Sequence, residues 1–197
     1  VCVDFREALH LLAHHIPLGN VGHLVQTPKA ALRTILEGAP EVMTVYTLEK
    51  AAEIGAVCRE LGRTQGLLLR VVDQGDYLFP GQSGGFPLAG LEETARAIGG
   101  IPGVTVAGVC AFPCLSYDAQ ADDILPTASC ATLRRAAQVL EGCGYQDLQL
   151  NMPSATCVRS IPRIAQEGGT HGEPGHGLTG TTPYHATHED APERPAM

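Results

Sequence analysis

Chemistry is most concentrated in the stretch Thr170-His-Gly-Glu-Pro-Gly-His-Gly-Leu-Thr-Gly-Thr-Thr-Pro183. Glu173 offers a carboxylate that can hydrogen-bond a protonated ring nitrogen. Pro174 fixes φ, and Gly175 lets a ligand approach the main chain closely. Consecutive N–H groups in such a turn can form an anion nest, although a Gly-rich turn that holds nothing has the same composition. A second candidate lies upstream in Asn151-Met-Pro-Ser-Ala-Thr156. Ser154 and Thr156 supply hydroxyls, and the amides of Ala155 and Thr156 are expected at the start of the next helix, a position suited to phosphate. Pro, Ser and Thr also simply begin helices, so the two loops together weigh more than either alone. Arg70 interrupts the apolar run Leu67–Val72. An arginine is rarely buried unpaired, so it is expected to face an anionic oxygen or a core carboxylate. Phe112, at the end of another apolar run, can stack on a planar ring or pack in the core.

Other candidates carry less. His171, His176, His185 and His188 crowd one region, but no His pair sits at ligand spacing on a helix and no metal site is expected. His14 and His15 close a helix, where the dipole favours them. His23 lies in an apolar run, with packing as its default role. Cys110 and Cys114 lack the CxxC spacing of a redox or zinc pair. The seven cysteines are odd in number and scattered through apolar segments, which points to buried thiols in a reducing, cytoplasmic setting. Lys29 and Lys50 are the only lysines.

These residues need a frame. Apolar runs at Val1–Phe5, Val21–Gln26, Glu41–Thr47, Gly66–Val72, Val104–Phe112, Leu148–Met152 and Thr170–Gly172 read as seven strands. Helical spacing fills the intervals: Arg6–His15, Pro28 to about Gly38 with Thr27 as cap, Thr47 to about Gly62, Leu88–Gly99, Ser129–Gly142 and Val158–Glu167. Strands alternating with helices indicate parallel βαβ units. An open doubly wound sheet and a (β/α)8 barrel both satisfy that order. No Gly-rich phosphate loop follows the first strand, which weakens the dinucleotide-binding version. The polar and Gly-rich segments, including Asp73–Gly85 and Pro113–Pro126, follow strand ends, where barrels carry their chemistry. Seven units fall one short of a closed barrel. Residues 1–185 read as an incomplete barrel domain and 186–197 as a polar tail or linker.

With 197 residues, 44% of them hydrophobic, the chain can bury a real core. A net charge of −8 argues against nucleic-acid or anionic-membrane partners, and no apolar run approaches the roughly 18 residues of a membrane span.

Val3-Asp-Phe-Arg-Glu-Ala8, Val21–Gln26, Leu67–Val72, Phe79-Pro-Gly-Gln82, Phe112-Pro-Cys-Leu115, Pro153–Thr156 and His171–His176 together resemble the YhfX-type proteins. Those are similar to the pyridoxal 5'-phosphate enzymes of fold type III, whose barrel is that of the alanine racemase N-terminal domain. The resemblance runs from about Val1 to His185. It implies a (β/α)8 TIM-type barrel lacking its first βα unit, followed in relatives by a C-terminal β domain. It places Glu173 on the pyridine nitrogen, as in the related decarboxylases, where alanine racemases carry an Arg. Ser154, Ala155, Gly175 and His176, with Thr156 beside them, would hold the phosphate. Arg70 would approach the cofactor's phenolic oxygen, and Phe112 falls where relatives often place a stacked His. The Schiff-base Lys belongs to the first barrel strand, and neither Lys29 nor Lys50 matches it, so no catalytic residue is assigned within this chain. The implied activity is that of an amino-acid racemase or epimerase acting on a small amino-acid-like substrate, homodimeric at full length. Decarboxylation, D-amino-acid aldol cleavage or dehydration, and a non-catalytic carrier or homeostasis role are the alternatives.

Overall fold

A computed structural model describes residues 1–195. The expected tail, 186–197, therefore runs past the described residues at its end. Five parallel strands form the main path of one sheet: β1 (Asn20–Val21), β2 (Val42–Val45), β3 (Gln65–Val72), β5 (Val104–Cys110) and β8 (Gln149–Asn151), in that order. β4 (Phe86–Pro87) adds a short parallel pairing to the end of β3. Single parallel bridges, Cys2 to Val21 and Asn151 to His171, extend the order by one position on each side. Five of the seven expected strands are thus present and parallel, and the first and last are each reduced to a single parallel bridge.

The outer strands are much shorter than their apolar runs. Val1–Phe5 contributes only the Cys2 bridge, because Asp4 caps helix α1 (Phe5–Ala13) by accepting from the N–H groups of Arg6 and Glu7. Val21–Gln26 leaves the sheet after Val21, where Gly22 takes a φ of +89°. Thr170–Gly172 is reduced to His171.

The helices are α2 (Lys29–Glu37), α3 (Leu48–Glu60), α4 (Leu91–Gly99, preceded by a 3-10 turn), α5 (Ala128–Gly142), α6 (Ile161–Gln166) and a one-turn α7 (Gly175–Thr179). Thr47 caps α3 through its hydroxyl. The cap of α2 is Pro28, and the buried Thr27 hydroxyl has no partner. Helix α6 begins three residues later than its apolar pattern, because Cys157 to Ser160 form a turn closed on the Ser160 hydroxyl. The stretch Pro113–Pro126, expected as loop, holds an antiparallel hairpin, β6 (Leu115–Asp118) with β7 (Asp123–Pro126).

Alternation along the strands sorts the core. Leu67, Leu69 and Val71 pack with Leu32, Ile54, Ile98, Leu133 and Leu140 on the helix side. Leu68 joins Val42 and Cys110 in a separate small cluster on the other face. That face carries the buried polar residues Asn20, Thr44, Arg70 and Asn151. The sheet is strongly curled: Asn20, on the first strand of the main path, hydrogen-bonds Glu173, just past the last bridge, at 2.9 Å. An open sheet would hold those positions far apart. The architecture is an incomplete barrel with its polar layer inside.

All seven cysteines are free thiols, five of them buried, with Cys157 half-buried and Cys143 exposed. Titration of the native protein with an aromatic disulfide reagent is expected to show one fast thiol and one slower one. The other five should react only after unfolding. Immediate reaction of three or more would contradict this packing.

Candidate functional site

The segments leaving the C-terminal ends of β1, β5, β8 and the His171 bridge converge, with α1 alongside, on a cavity of about 700 Å³. Of the eight residues expected at a site, Phe112, Ser154, Ala155, Glu173, Gly175 and His176 line it together. Arg70 and Thr156 lie behind its wall.

Glu173 is held by side chains from two strand ends, those of β1 and β8. Its Oε1 accepts from Asn20 Nδ2 and Asn151 Nδ2, each at 2.9 Å. Its Oε2 lies 3.4 Å from His23 Nε2. Burial raises its pKa, against those hydrogen bonds and the more distant positive charges of the amino terminus and Arg70. Asn20 is locked in turn, its Oδ1 accepting from Thr44 Oγ1 at 2.9 Å. The carboxylate is therefore fixed in orientation on the wall of an otherwise largely apolar cavity.

Ser154 and Ala155 both adopt positive φ, 103° and 47°. Non-glycine residues rarely do so in succession. Among the described residues, nothing accepts from the N–H groups of Ser154, Ala155 or Thr156. The expectation that these amides sit at a helix start is not met, because α6 begins at Ile161. The anion-binding potential belongs to the turn itself. Gly175 opens α7 across the cavity, and Gly177 N–H donates to the Thr156 carbonyl at 3.1 Å, tying the two loops together. His176 Nδ1 is 2.9 Å from the Thr181 carbonyl oxygen. A carbonyl only accepts, so a neutral His176 keeps its proton on Nδ1 and offers Nε2 as an acceptor.

Arg70 is 1% exposed. Its Nη2 donates to the carbonyls of Phe112 at 2.8 Å and Gln82 at 3.4 Å, while Nε and Nη1 have no partner among the described residues. The guanidinium lies 5.7 Å from the Phe112 ring centre and 6.0 Å from that of Tyr46. Two orphaned donors on a buried cation are a strong demand for an anion or polar acceptor. Phe112 presents its ring between His23, at 5.1 Å and nearly perpendicular, and Phe79, at 5.5 Å.

Lys29 is exposed on α2. Lys50 is more tied down than a solvated surface residue, its Nζ donating to the Thr27 carbonyl and Glu53. Neither lines the cavity. The clustered histidines go to separate partners: His171 to Thr170, His185 to Thr182, and His188 against the Tyr184 ring. Among the described residues, no three His, Cys, Asp or Glu side chains gather as metal ligands would, and no helix is long and apolar enough to cross a membrane.

Sequence reasoning passed over Asn20 and gave His23 a packing role. The available signal was an amide and an imidazole at the end of an otherwise apolar strand, at positions whose burial requires partners.

A curled parallel sheet with helices outside and its buried polar residues converging at the strand ends defines an α/β-barrel domain. The family described as alanine racemase, N-terminal domain, matches residues 1–183, and this chain belongs to that family. Over all 197 residues it is 43% identical to the uncharacterized protein YhfX of Escherichia coli K12, of which it spans about half the length, 51%. PipY of Synechococcus elongatus PCC7942, solved without PLP, matches with a TM-score of 0.64 at 21% identity, covering 86% of this chain and 75% of that one. The PLP-bound PipY structure gives 0.62 at 20% identity over the same shares. Diaminopimelate decarboxylase from M. jannaschii, in complex with L-lysine, gives 0.58 at 13% identity over 76% of this chain and 36% of the other. At such identities the structural matches speak for the fold.

Proposed function

We propose that this chain is the pyridoxal 5'-phosphate cradle of an amino-acid racemase- or epimerase-like enzyme, the covalent lysine coming from outside these residues. The observation that carries the reading is the presence in one cavity lining of an oriented, buried carboxylate, Glu173, and of Ser154 and Ala155, whose N–H groups have no acceptor among the described residues. A dianion on one side of a ring and a protonated nitrogen on the other suit that pairing of charges. When bound, pyridoxal phosphate supplies an electron sink for the charge left at a substrate α-carbon.

The chain's own residues set the conditions for that chemistry. The Ser154–Thr156 turn would hold the phosphate through main-chain N–H groups, with Gly175 and His176 facing it across the cavity; the Gly175 N–H itself is given to the Glu173 carbonyl. Glu173 accepts from the ring nitrogen and keeps it protonated. Arg70, buried behind Phe112 with Nε and Nη1 unpartnered among the described residues, would approach the cofactor's phenolic oxygen, and Phe112 would pack against its ring. The enzyme acts on a small amino-acid-like molecule and works as a homodimer at full length.

Glu173 also favours a second reading. A carboxylate at the ring nitrogen makes a stronger sink than an arginine does, which suits decarboxylation of an amino acid as well as proton exchange. The same cavity also serves a carrier that binds the cofactor without turnover.

Titration of the purified chain with pyridoxal phosphate is expected to give saturable, non-covalent binding, followed by absorbance. Pyridoxal lacking the phosphate should bind at least about tenfold more weakly, since it forfeits the charge-assisted hydrogen bonds. Borohydride treatment should leave Lys29 and Lys50 unlabelled. No saturable binding, or equal binding of both compounds, overturns the reading.

A further inference from the structure

The imidazole of His23 is 3% exposed and stands between two groups that the cradle does not otherwise explain. Nε2 is 3.4 Å from Glu173 Oε2, and Nδ1 is 3.6 Å from Cys110 Sγ. The ring is held from outside its plane by the edge of Phe112, and its backbone carbonyl accepts from the Tyr46 hydroxyl.

Proton counting fixes the roles. Burial, with Arg70 nearby, pushes His23 down to about 3, so the ring is neutral and carries one N–H. Burial and the Glu173 charge push the Cys110 thiol up to about 12, so the sulfur keeps its proton. A neutral imidazole has one donor and one acceptor nitrogen. With an S–H able to donate to Nδ1 and an ionised carboxylate able only to accept, the arrangement that gives every proton its nearest partner puts the ring N–H on Nε2, facing Glu173 Oε2 at 3.4 Å, a contact longer than an ordinary hydrogen bond. Protonating Glu173 would turn that oxygen into a donor and force the other tautomer on the ring.

We infer that His23 is a positioning residue that keeps Glu173 ionised and aimed at the cavity by donating Nε2–H to Oε2, with Cys110 setting the tautomer from behind. The titratable and charged groups facing this pair are Arg70 from β3, Tyr46 after β2, Cys110 from β5 and the Val1 amino group. The two amides on Oε1 and His23 on Oε2 thus form a three-donor holder for one carboxylate. Its consequence for the cofactor rests on the reading above, whereas the tautomer itself does not.

The test is imidazole ¹⁵N NMR on the full chain, with His23→Gln removing and so assigning the His23 signals. The expected result is a ring that stays neutral between about pH 5 and 8, a window in which an unperturbed histidine would titrate, with its proton on Nε2 wherever Glu173 is ionised. An Nδ1–H tautomer, or an imidazolium at pH 7, overturns the inference whether or not pyridoxal phosphate binds. A second arm compares His23→Leu with His23→Gln in pyridoxal phosphate binding. Leucine is the better core residue, but glutamine retains a neutral N–H donor. Loss of the donor is expected to weaken binding roughly tenfold in His23→Leu, and His23→Gln should recover most of it. Leucine performing as well as glutamine would show that the role is packing. If wild type itself fails to bind, the cofactor reading falls while the tautomer still decides this one.

Discussion

Glu173→Gln is expected to weaken pyridoxal phosphate binding about 10- to 100-fold, the worth of one charge-assisted hydrogen bond at about 1.5–3 kcal/mol. The substitution conserves volume and leaves an amide oxygen free to accept from Asn20 and Asn151, as Oε1 does now. What it removes is the negative charge that, in the proposed cradle, would face the ring nitrogen. It also sets an NH₂ against His23 Nε2, donor against donor, so the ring must change tautomer or lose its contact. Binding titrations on wild type and variant read the effect, and an unchanged affinity would remove Glu173 from the cradle. The same pair of proteins carries a pH signature. Burial raises the Glu173 pKa above its ordinary 4.5, so the folded state holds this proton to higher pH than the unfolded state does. Its contribution is fully present below 4.5 and is lost as pH rises through the raised value. The stability difference between wild type and Glu173→Gln should therefore move in the variant's favour across that window and be flat below it.

The second large effect lies away from the cavity, at Gly108. In β5 the register passes from Leu67 opposite Val106 to Leu68 opposite Gly108, so Ala107 is an extra residue in a bulge. Gly108 then lies so close to β8 that an added Cβ would sit 2.0 Å from the Gln149 carbonyl oxygen and 2.7 Å from that residue's backbone nitrogen. Backbone cannot yield as a side chain tip can. Gly108→Ala is expected to cost about 3 kcal/mol, at the upper end of overpacking effects. It should also abolish cofactor binding, because β8 carries Asn151 and leads directly into the Ser154–Thr156 turn. Urea unfolding checks the first claim through a lowered midpoint at unchanged slope. An unfolding free energy within about 0.5 kcal/mol of wild type would mean that β5 and β8 are not this tightly apposed.

The seven-strand order was readable because parallel strands buried on both faces are apolar almost throughout, as in Gly66–Val72. Glu173, Gly175 and the Pro153–Thr156 segment were readable because Pro and Gly concentrate where backbone must turn at a strand end. The β6–β7 hairpin was not: its strands are four residues each, and Asp118 to Asp123 between them look like loop. Nor was the holder of Glu173. Asn20 and His23 precede it in sequence by 150 residues or more, and only the curl of the sheet makes them neighbours. Arg70 was expected to face an anionic oxygen or a core carboxylate; its partners in the fold are main-chain carbonyls, which sequence does not advertise.

The Asn20–Glu173 hydrogen bond has a consequence for how the protein behaves outside a titration cell. It joins two ends of a sheet, so the carboxylate is positioned only after nearly the whole chain has folded around it. A molecule that requires that carboxylate binds the finished fold and not its precursors. By mass action, such a ligand at a hundredfold excess over its dissociation constant adds about 2.7 kcal/mol to folding stability. Abundance of the protein would then follow the supply of its cofactor, through survival of the folded chain, with no separate sensor needed.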